Sequence, residues 1–385
     1  MSALQITARD GTARTGILHT AHGDIRTPAF MPVGTHATIK ACTPQEVAQS
    51  GADVLLCNAY HLVLRPGVEM VERAGGLHEF MRWDGPILTD SGGFQVVSLQ
   101  DVVAIDDEGA TFVSPYDGSR LRMTPEDAVN AQKRLGADIV MCLDHPVAYG
   151  AADPLTREAA QRTHRWAERC RSVHPGEGHL LFGITQGGFD PALRRESARA
   201  VAALDFDGLA IGGLALGEPP PVMEAMTRAA LEEIPDATPR YVMGLGTDAE
   251  LLTMVGLGVD MFDCVLPTRL ARNGTALTAG GRLSLRQGRY REDLRTLEES
   301  CPCPACSGGF SRAYLRHLFQ AGEILAHRLV SLHSLTHLGT LMERARQAIA
   351  AGAFVAFRAG VLDGLAGGVD SERGRRSPVG YSSRP

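Results

Sequence analysis

No apolar run in this 385-residue chain approaches the roughly 18 residues needed to cross a bilayer. The stretch from Met1 to Thr15 is too polar for the apolar segment of a secretory leader. Both absences point away from the membrane, and a cytoplasmic location is expected. Positive charge in excess is missing too: the formal charge is -6, which excludes binding nucleic acid over the whole surface and leaves only a local patch for that purpose. Lysine is nearly absent, Lys40 and Lys133 being the only two among 38 basic residues, so the positive charge is almost all guanidinium. No internal repeat at a fixed period is visible beyond an alternation of strands and helices. What is present is 44% hydrophobic residues, enough to bury a full core.

Short apolar runs recur at Asp53–Cys57, Pro86–Leu88, Asp138–Leu143, Leu180–Ile184, Gly208–Ile211, Tyr241–Met243 and Met261–Cys264. Between them lie helical patterns with start signals. Thr43-Pro44-Gln45-Glu46 and Thr124-Pro125-Glu126-Asp127 read as capping boxes with proline at the first helical position, and Asp190-Pro191 opens another helix. Tyr116-Asp117-Gly118-Ser119 between two alternating runs reads as a hairpin turn. Strand-helix units in series mean a parallel sheet. Polar or glycine-rich segments follow strand after strand, at Asp90-Ser91-Gly92-Gly93, Asp144-His145, Gln186-Gly187-Gly188, Gly212-Gly213-Leu214 and Gly244-Leu245-Gly246. Chemistry spread over many strand ends favours a closed barrel over a doubly wound sheet, which concentrates its glycines after the first strand.

Beyond Leu266 the pattern changes. Arg269, Arg272, Arg282, Arg286, Arg289 and Arg291 fall in a stretch without an acidic residue, a one-sided charge suited to phosphate. Cys301, Cys303 and Cys306 follow within six residues, whereas Cys42, Cys57, Cys142, Cys170 and Cys264 are scattered. Three thiols this close in a reducing compartment read as a metal site lacking one ligand, with His317, His327, His333 and His337 as candidates that spacing alone does not separate. Residues 311 to 362 read as helices. Asp90 before its glycines reads equally as a turn residue or a functional carboxylate, and Asp260 and Asp263 fall on opposite faces of one strand, so that one of them is read as an outward charge.

The motifs Asp90-Ser91-Gly92-Gly93-Phe94-Gln95, Gln186-Gly187-Gly188, Gly212 to Glu218, Tyr241-Val242-Met243-Gly244 and Asp260 to Arg269 resemble, in order and spacing, those of bacterial tRNA-guanine transglycosylases. Met31 to Thr35, His61 to Gly67 and the cysteine cluster fit as well, and the resemblance covers about residues 5 to 360. It implies an α/β fold, a (β/α)8 TIM-type barrel with an inserted zinc-binding subdomain. The implied division is a barrel core over 1–266, an arginine-rich segment and zinc subdomain over 267–340 and a helical segment over 341–363 completing the barrel, while the small, charged, proline-containing tail over 364–385 is expected to be disordered from its composition.

The same resemblance implies roles. Asp263 corresponds to a nucleophile and Asp90 to a general acid/base, the two-carboxylate logic of a retaining glycosidase. Ser91, Phe94, Asp144, Gln186, Gly213, Leu214 and Met243 correspond to the base pocket: Asp144 for the donor edge of a guanine-like base, Gln186 and the Gly213 amide for its carbonyl, Phe94 and Met243 for its faces. RNA contacts are implied for Gly244, Leu245, Gly246, Thr247, Asp248, Ala249 and Glu250, and for Thr268, Arg269, Leu270, Ala271 and Arg272. His333 becomes the fourth ligand of one structural Zn2+ per chain, with surface or packing roles for His317, His327 and His337. The implied partners are a tRNA anticodon loop, a deazaguanine base and a second copy of the chain, through a helix holding Phe310, Tyr314, His317 and Leu318.

Two departures bear on the base. His145-Pro146 after the pocket aspartate Asp144, and Leu216, replace the residues usual in bacterial relatives near the side of the pocket that receives the 7-substituent. A bulky Leu216 favours 7-aminomethyl-7-deazaguanine, with queuine as the alternative incoming base. A barrel glycoside hydrolase would need neither the arginine stretch nor guanine-shaped donors and acceptors, and a non-catalytic tRNA-binding subunit would not need both Asp90 and Asp263.

Overall fold

The computed structural model describes residues 3–93 and 103–367. Three antiparallel strands come first, β1 (Leu4–Asp10), β2 (Ala13–Thr20) and β3 (Gly23–Thr27). Eight parallel strands then close a barrel: β4 (Ala29–Gly34), β5 (Leu55–Asn58), β6 (Ile87–Asp90), β10 (Ile139–Met141), β11 (Leu180–Thr185), β12 (Gly208–Ile211), β13 (Arg240–Val242) and β14 (Met261–Cys264), the last pairing back on β4. Between β6 and β10 the chain forms a second antiparallel sheet, β7 (Val103–Asp106), β8 (Gly109–Val113) and β9 (Arg120–Met123), with the turn read at Tyr116–Ser119 joining the last two. Seven barrel strands coincide with the apolar runs of the sequence. The eighth, β4, lies upstream of them, and its Pro32 hides it, since a proline argues against a central strand.

Strands buried on both faces carry continuous apolar sequence. Met31, Leu56, Leu88, Ile139, Phe182, Ile184, Ala210 and Met261 share one buried cluster with Leu4, Leu18 and Ile25, so the N-terminal sheet and the barrel strands form one core. Beneath β14, Asp260 is fully buried, its carboxylate taking Nε and Nη2 of Arg14 at 2.8 and 2.5 Å and the amide of Arg240 at 2.7 Å. It is therefore not an outward charge. Because it must be paired to survive inside, its role is structural, and the strand leaves Asp263 as the carboxylate at the other end.

The helix starts form as the sequence dictates. Thr43 and Thr124 cap their helices with reciprocal bonds to Glu46 and Asp127, and Asp190 accepts the amides of Ala192 and Leu193. The helical region near the C-terminus resolves into Arg312–Ala321, Ile324–Ala350 and Phe354–Ala366. The 27-residue helix Ile324–Ala350 passes residue 340 without a break and packs on β1, β2 and β4 as well as on β15 (Thr275–Thr278), which pairs with β16 (Gly281–Ser284). It thus joins the barrel to the cysteine-bearing lobe. No helix of the described residues is long and apolar enough to cross a membrane.

Candidate active site

The C-terminal ends of the barrel strands enclose a cavity of about 310 Å³ whose lining includes Asp90, Ser91, Asp144, Gly213, Leu214, Met243, Gly244, Asp263 and Arg269. Closure of the eight parallel strands brings these residues together from positions far apart in sequence, as such barrels do at this face. Phe94 lies outside the described residues, and Gln186 stands behind the lining, reaching it through Asp144.

Asp263 sits at the end of β14. Its Oδ1 accepts the hydroxyl of Tyr241 at 2.6 Å and the amide of Gly244 at 3.0 Å, while Oδ2 has no partner among the described residues. Burial pushes its carboxyl above the ordinary range, and the two donors work against that shift. Tyr241, itself fully buried with its phenol pushed well upward, was not singled out from sequence. The signal was there in the alternation of β13: Tyr241 and Met243, two apart, both line the cavity.

Asp90, ending β6, is held by the amide of Ala59 at 2.7 Å and by Nδ2 of Asn58 at 2.5 Å. Asn58 ends the neighbouring strand β5 and also lines the cavity. Nothing in the sequence marked it, because its position follows from the pairing of β5 with β6. The turn reading of Asp90 gives way to a buried carboxylate facing the cavity, 6% exposed.

Asp144 is 4% exposed, and burial raises its carboxyl to about 6. Its Oδ2 takes Nε2 of Gln186 at 2.6 Å, and Ser91 Oγ stands 3.4 Å from Oδ1. Gln186 thereby directs its donor to Asp144, and its Oε1 is buried without a partner among the described residues. Two glycines make this packing feasible. A Cβ on Gly93 would fall on the Asp144 carboxylate, and one on Gly213, where φ is +65°, would fall on Gln186 Oε1. Arg194, also unmarked in the sequence, is fully buried and ties the two glycine turns together, donating to the carbonyls of Gly188, Gly212 and Gly213 at 2.7, 2.6 and 3.2 Å. Next to Gly213, both oxygens of Glu218 hold backbone amides, those of Ala215 and Leu216, at 2.6 and 2.9 Å.

Of the two departures near the base, Pro146 and Leu216 line the cavity and His145 does not. Its Nδ1 lies 3.1 Å from Nη1 of Arg162, and burial beside that cation lowers the imidazole to about 4, so it is neutral and accepts.

Around the mouth, Gly244 is exposed and Thr247, Ala249, Glu250, Arg269, Leu270 and Arg272 are partly so. Leu245, Gly246, Asp248, Thr268 and Ala271 are packed inside, where side chains cannot meet a macromolecule. Several arginines elsewhere are matched to carboxylates, among them Arg26 with Asp53, Arg134 with Glu72, Arg199 with Glu233 and Arg328 with Glu46. Arg272, Arg282, Arg286 and Arg291 meet none among the described residues, and Nη1 of Arg272 is buried unpaired. Arg286 Nε bonds the carbonyl of Asn273 at 3.0 Å, at the end of the helix Leu266–Arg272 that supplies Arg269 to the cavity.

Remote from the cavity, Cys301, Cys303, Cys306 and His333 converge. The three sulfurs lie 3.6, 3.3 and 3.5 Å from His333 Nδ1. A tetrahedral ion with metal-sulfur and metal-nitrogen bonds of about 2.3 and 2.0 Å separates such ligands by about 3.5 Å, so the cluster fits a metal ion. Nε2 of His333 bonds the carbonyl of Leu277 at 2.9 Å, which fixes the tautomer and turns Nδ1 to the sulfurs. Four such side chains are the number that a closed tetrahedral site needs.

Fold and cavity together define a barrel enzyme with buried carboxylates at its catalytic face and a separate metal-binding cluster. The sequence matches the family model described as queuine tRNA-ribosyltransferase over residues 10–366. It is 52% identical to a queuine tRNA-ribosyltransferase of Solidesulfovibrio magneticus, over 91% of this chain and 94% of the relative, and 51% identical to one of Sorangium cellulosum, over 91% and 89%. One from Moorella thermoacetica is also 51% identical, over 89% and 92%. The chain belongs to the queuine tRNA-ribosyltransferase family, and this supports a tRNA-guanine transglycosylase function.

Proposed function

We propose that this protein exchanges the wobble guanine of tRNA for 7-aminomethyl-7-deazaguanine through a covalent aspartyl-ribosyl intermediate. The observation that carries the reading is Asp263, with one oxygen fixed by Tyr241 and Gly244 and the other unpartnered among the described residues, in one cavity with Asp90 and Asp144. Oδ2 of Asp263 bonds the anomeric carbon as the bond to guanine breaks, and the departing nitrogen takes a proton from Asp90. The incoming base returns a proton to Asp90 and displaces the Asp263 carboxylate from the vacated side, giving net retention. Asp144 accepts the base's N–H donors. That engagement releases Nε2 of Gln186 to turn to the base carbonyl, beside the Gly213 amide, while Met243 and Phe94 cover the ring.

The shape of the pocket supports a small 7-substituent, since Leu216 and Pro146 both take space there; queuine is the alternative. The arginines without carboxylates support RNA binding around the mouth, at a cytoplasmic tRNA anticodon loop. Zinc is the ion the three thiolates and imidazole suit, held for structure. The stacked pair Phe310–Tyr314, with Tyr314 and His317 exposed, supports a homodimer through that helix, although Leu318 turns inward.

The test is exchange of labelled guanine into purified tRNA, followed by trapping with a deazaguanine analogue and denaturation. RNA should remain attached to the wild type and not to Asp263→Asn. Attachment to Asp263→Asn would overturn the assignment of the nucleophile.

A further inference from the structure

His337 belongs to the helix Ile324–Ala350, one turn beyond His333, and its side chain is 9% exposed. Its Nε2 lies 2.8 Å from Oδ2 of Asp248, a residue itself buried at the start of the helix Asp248–Gly256. Its Nδ1 lies 3.9 Å from Oε2 of Glu298. Glu298 is attached to the metal cluster twice, by its amide to the Cys306 sulfur at 3.4 Å and by Oε2, 3.5 Å from Nε2 of His333. Its other oxygen takes the amide of Ala279 at 2.7 Å, so the carboxylate is fixed. Asp248 directly follows the turn Gly244–Thr247, which is closed by the capping box between Thr247 and Glu250 and whose first amide holds Oδ1 of Asp263.

We propose that His337 is a positioning residue that fixes the Gly244–Thr247 turn, and with it the carboxylate of Asp263, to the metal-bearing lobe through Asp248 and Glu298. The proposal rests on Asp263 being the nucleophile. Within the turn Leu245 and Gly246 are held by packing while Gly244 is exposed, and the buried Asp248 pair adds a polar tie from the end of the turn to a second element of the lobe. A buried carboxylate that loses its partner must move toward water or drag its segment with it. Here the segment is the one that donates to Asp263. The metal cluster then serves the reaction at a distance, by holding Glu298 and the helix of His337 in register.

The experiment measures single-turnover formation of the trapped RNA adduct in metal-replete full-length protein, together with metal content, RNA affinity and thermal stability. His337→Leu should slow adduct formation about 10-fold or more, in the range by which groups behind a reacting centre act, with RNA affinity and metal content unchanged. His337→Gln, whose amide nitrogen reaches Asp248 from the same place as Nε2, should stay within about 3-fold of wild type. Asp248→Ala should reproduce the loss, and the double variant with His337→Leu should be no slower than the worse single one. Equal rates for wild type and His337→Leu, equal slowing by Leu and Gln, or additive losses in the double variant would each overturn the proposal. Absence of any adduct from the wild type would instead overturn the reading of Asp263. Should His337→Leu fail to fold, Asp248→Ala against Asp248→Asn makes the same comparison, with Asn retaining an oxygen for His337.

Discussion

The hydroxyl of Tyr241 stands 2.6 Å from Oδ1 of Asp263, a fully buried phenol donating to a carboxyl that burial shifts upward. The bond favours the charged form of Asp263, and it orients the oxygen that is not to react. Tyr241→Phe removes the donor without changing the ring. The carboxyl of Asp263 should then rise further, so ionised enzyme appears only at higher pH. The acidic limb of the pH profile for adduct formation should move up by on the order of one unit, with the alkaline side little changed. An unmoved limb would mean that Tyr241 serves packing only.

Asp144 exchanges stability for base recognition. Its carboxyl is raised to about 6 by burial, so the folded state holds a proton that the unfolded state releases near pH 4. The contribution of this group is fully favourable below that lower value, declines as pH rises through 6, and is a constant cost above it. Asp144→Asn should therefore be more stable than wild type at pH 8, by up to about 3 kcal/mol, and equal to it near pH 3.5. It should not incorporate guanine. Thermal melts at both pH values decide the matter.

For wild-type protein the same shift predicts that apparent affinity for the free base weakens as pH falls through 6, because protonated Asp144 no longer accepts from two N–H groups. Initial exchange rates measured against base concentration at pH 5.5 and 7.5 should show KM rising at the lower pH.

Removing the guanidinium groups that lack carboxylates should affect RNA more than stability. Arg282→Gln, Arg286→Gln and Arg291→Gln combined should flatten the dependence of log affinity on log salt, by about 0.7 for each phosphate that is no longer neutralised. Arg272→Ala should act in the same direction. The matched substitutions Arg134→Gln and Arg199→Gln, whose cations are paired to Glu72 and Glu233, should leave the slope unchanged. Equal slopes in both sets would remove these arginines from the RNA-binding surface.

The metal cluster should hold one zinc ion per chain. Cys303 is 2% exposed, so Cys303→Ser should release metal, lower thermal stability and reduce the dimer fraction, all measurable without RNA. A stable, dimeric Cys303→Ser protein devoid of metal would contradict a structural ion.

The sequence by itself determined the barrel, the metal cluster and the family. Apolar runs buried on both faces, capping threonines ahead of prolines, and thiols crowded into a few residues are local signals, each set by covalent neighbours. It did not mark Asn58 or Arg194, gave Tyr241 no role beyond its place in a motif and His337 only a surface or packing role, and misjudged Asp260. These residues act through partners distant in the chain: Tyr241 on Asp263, Asn58 on Asp90, Asp260 on Arg14, His337 on Asp248. Whether a buried charge is matched, and whether a carboxylate faces the cavity or the floor of the barrel, depends on which strand lies alongside. Closure of the sheet settles that, because the pairing of β5 with β6 and of β14 with β4 fixes what each strand end can reach.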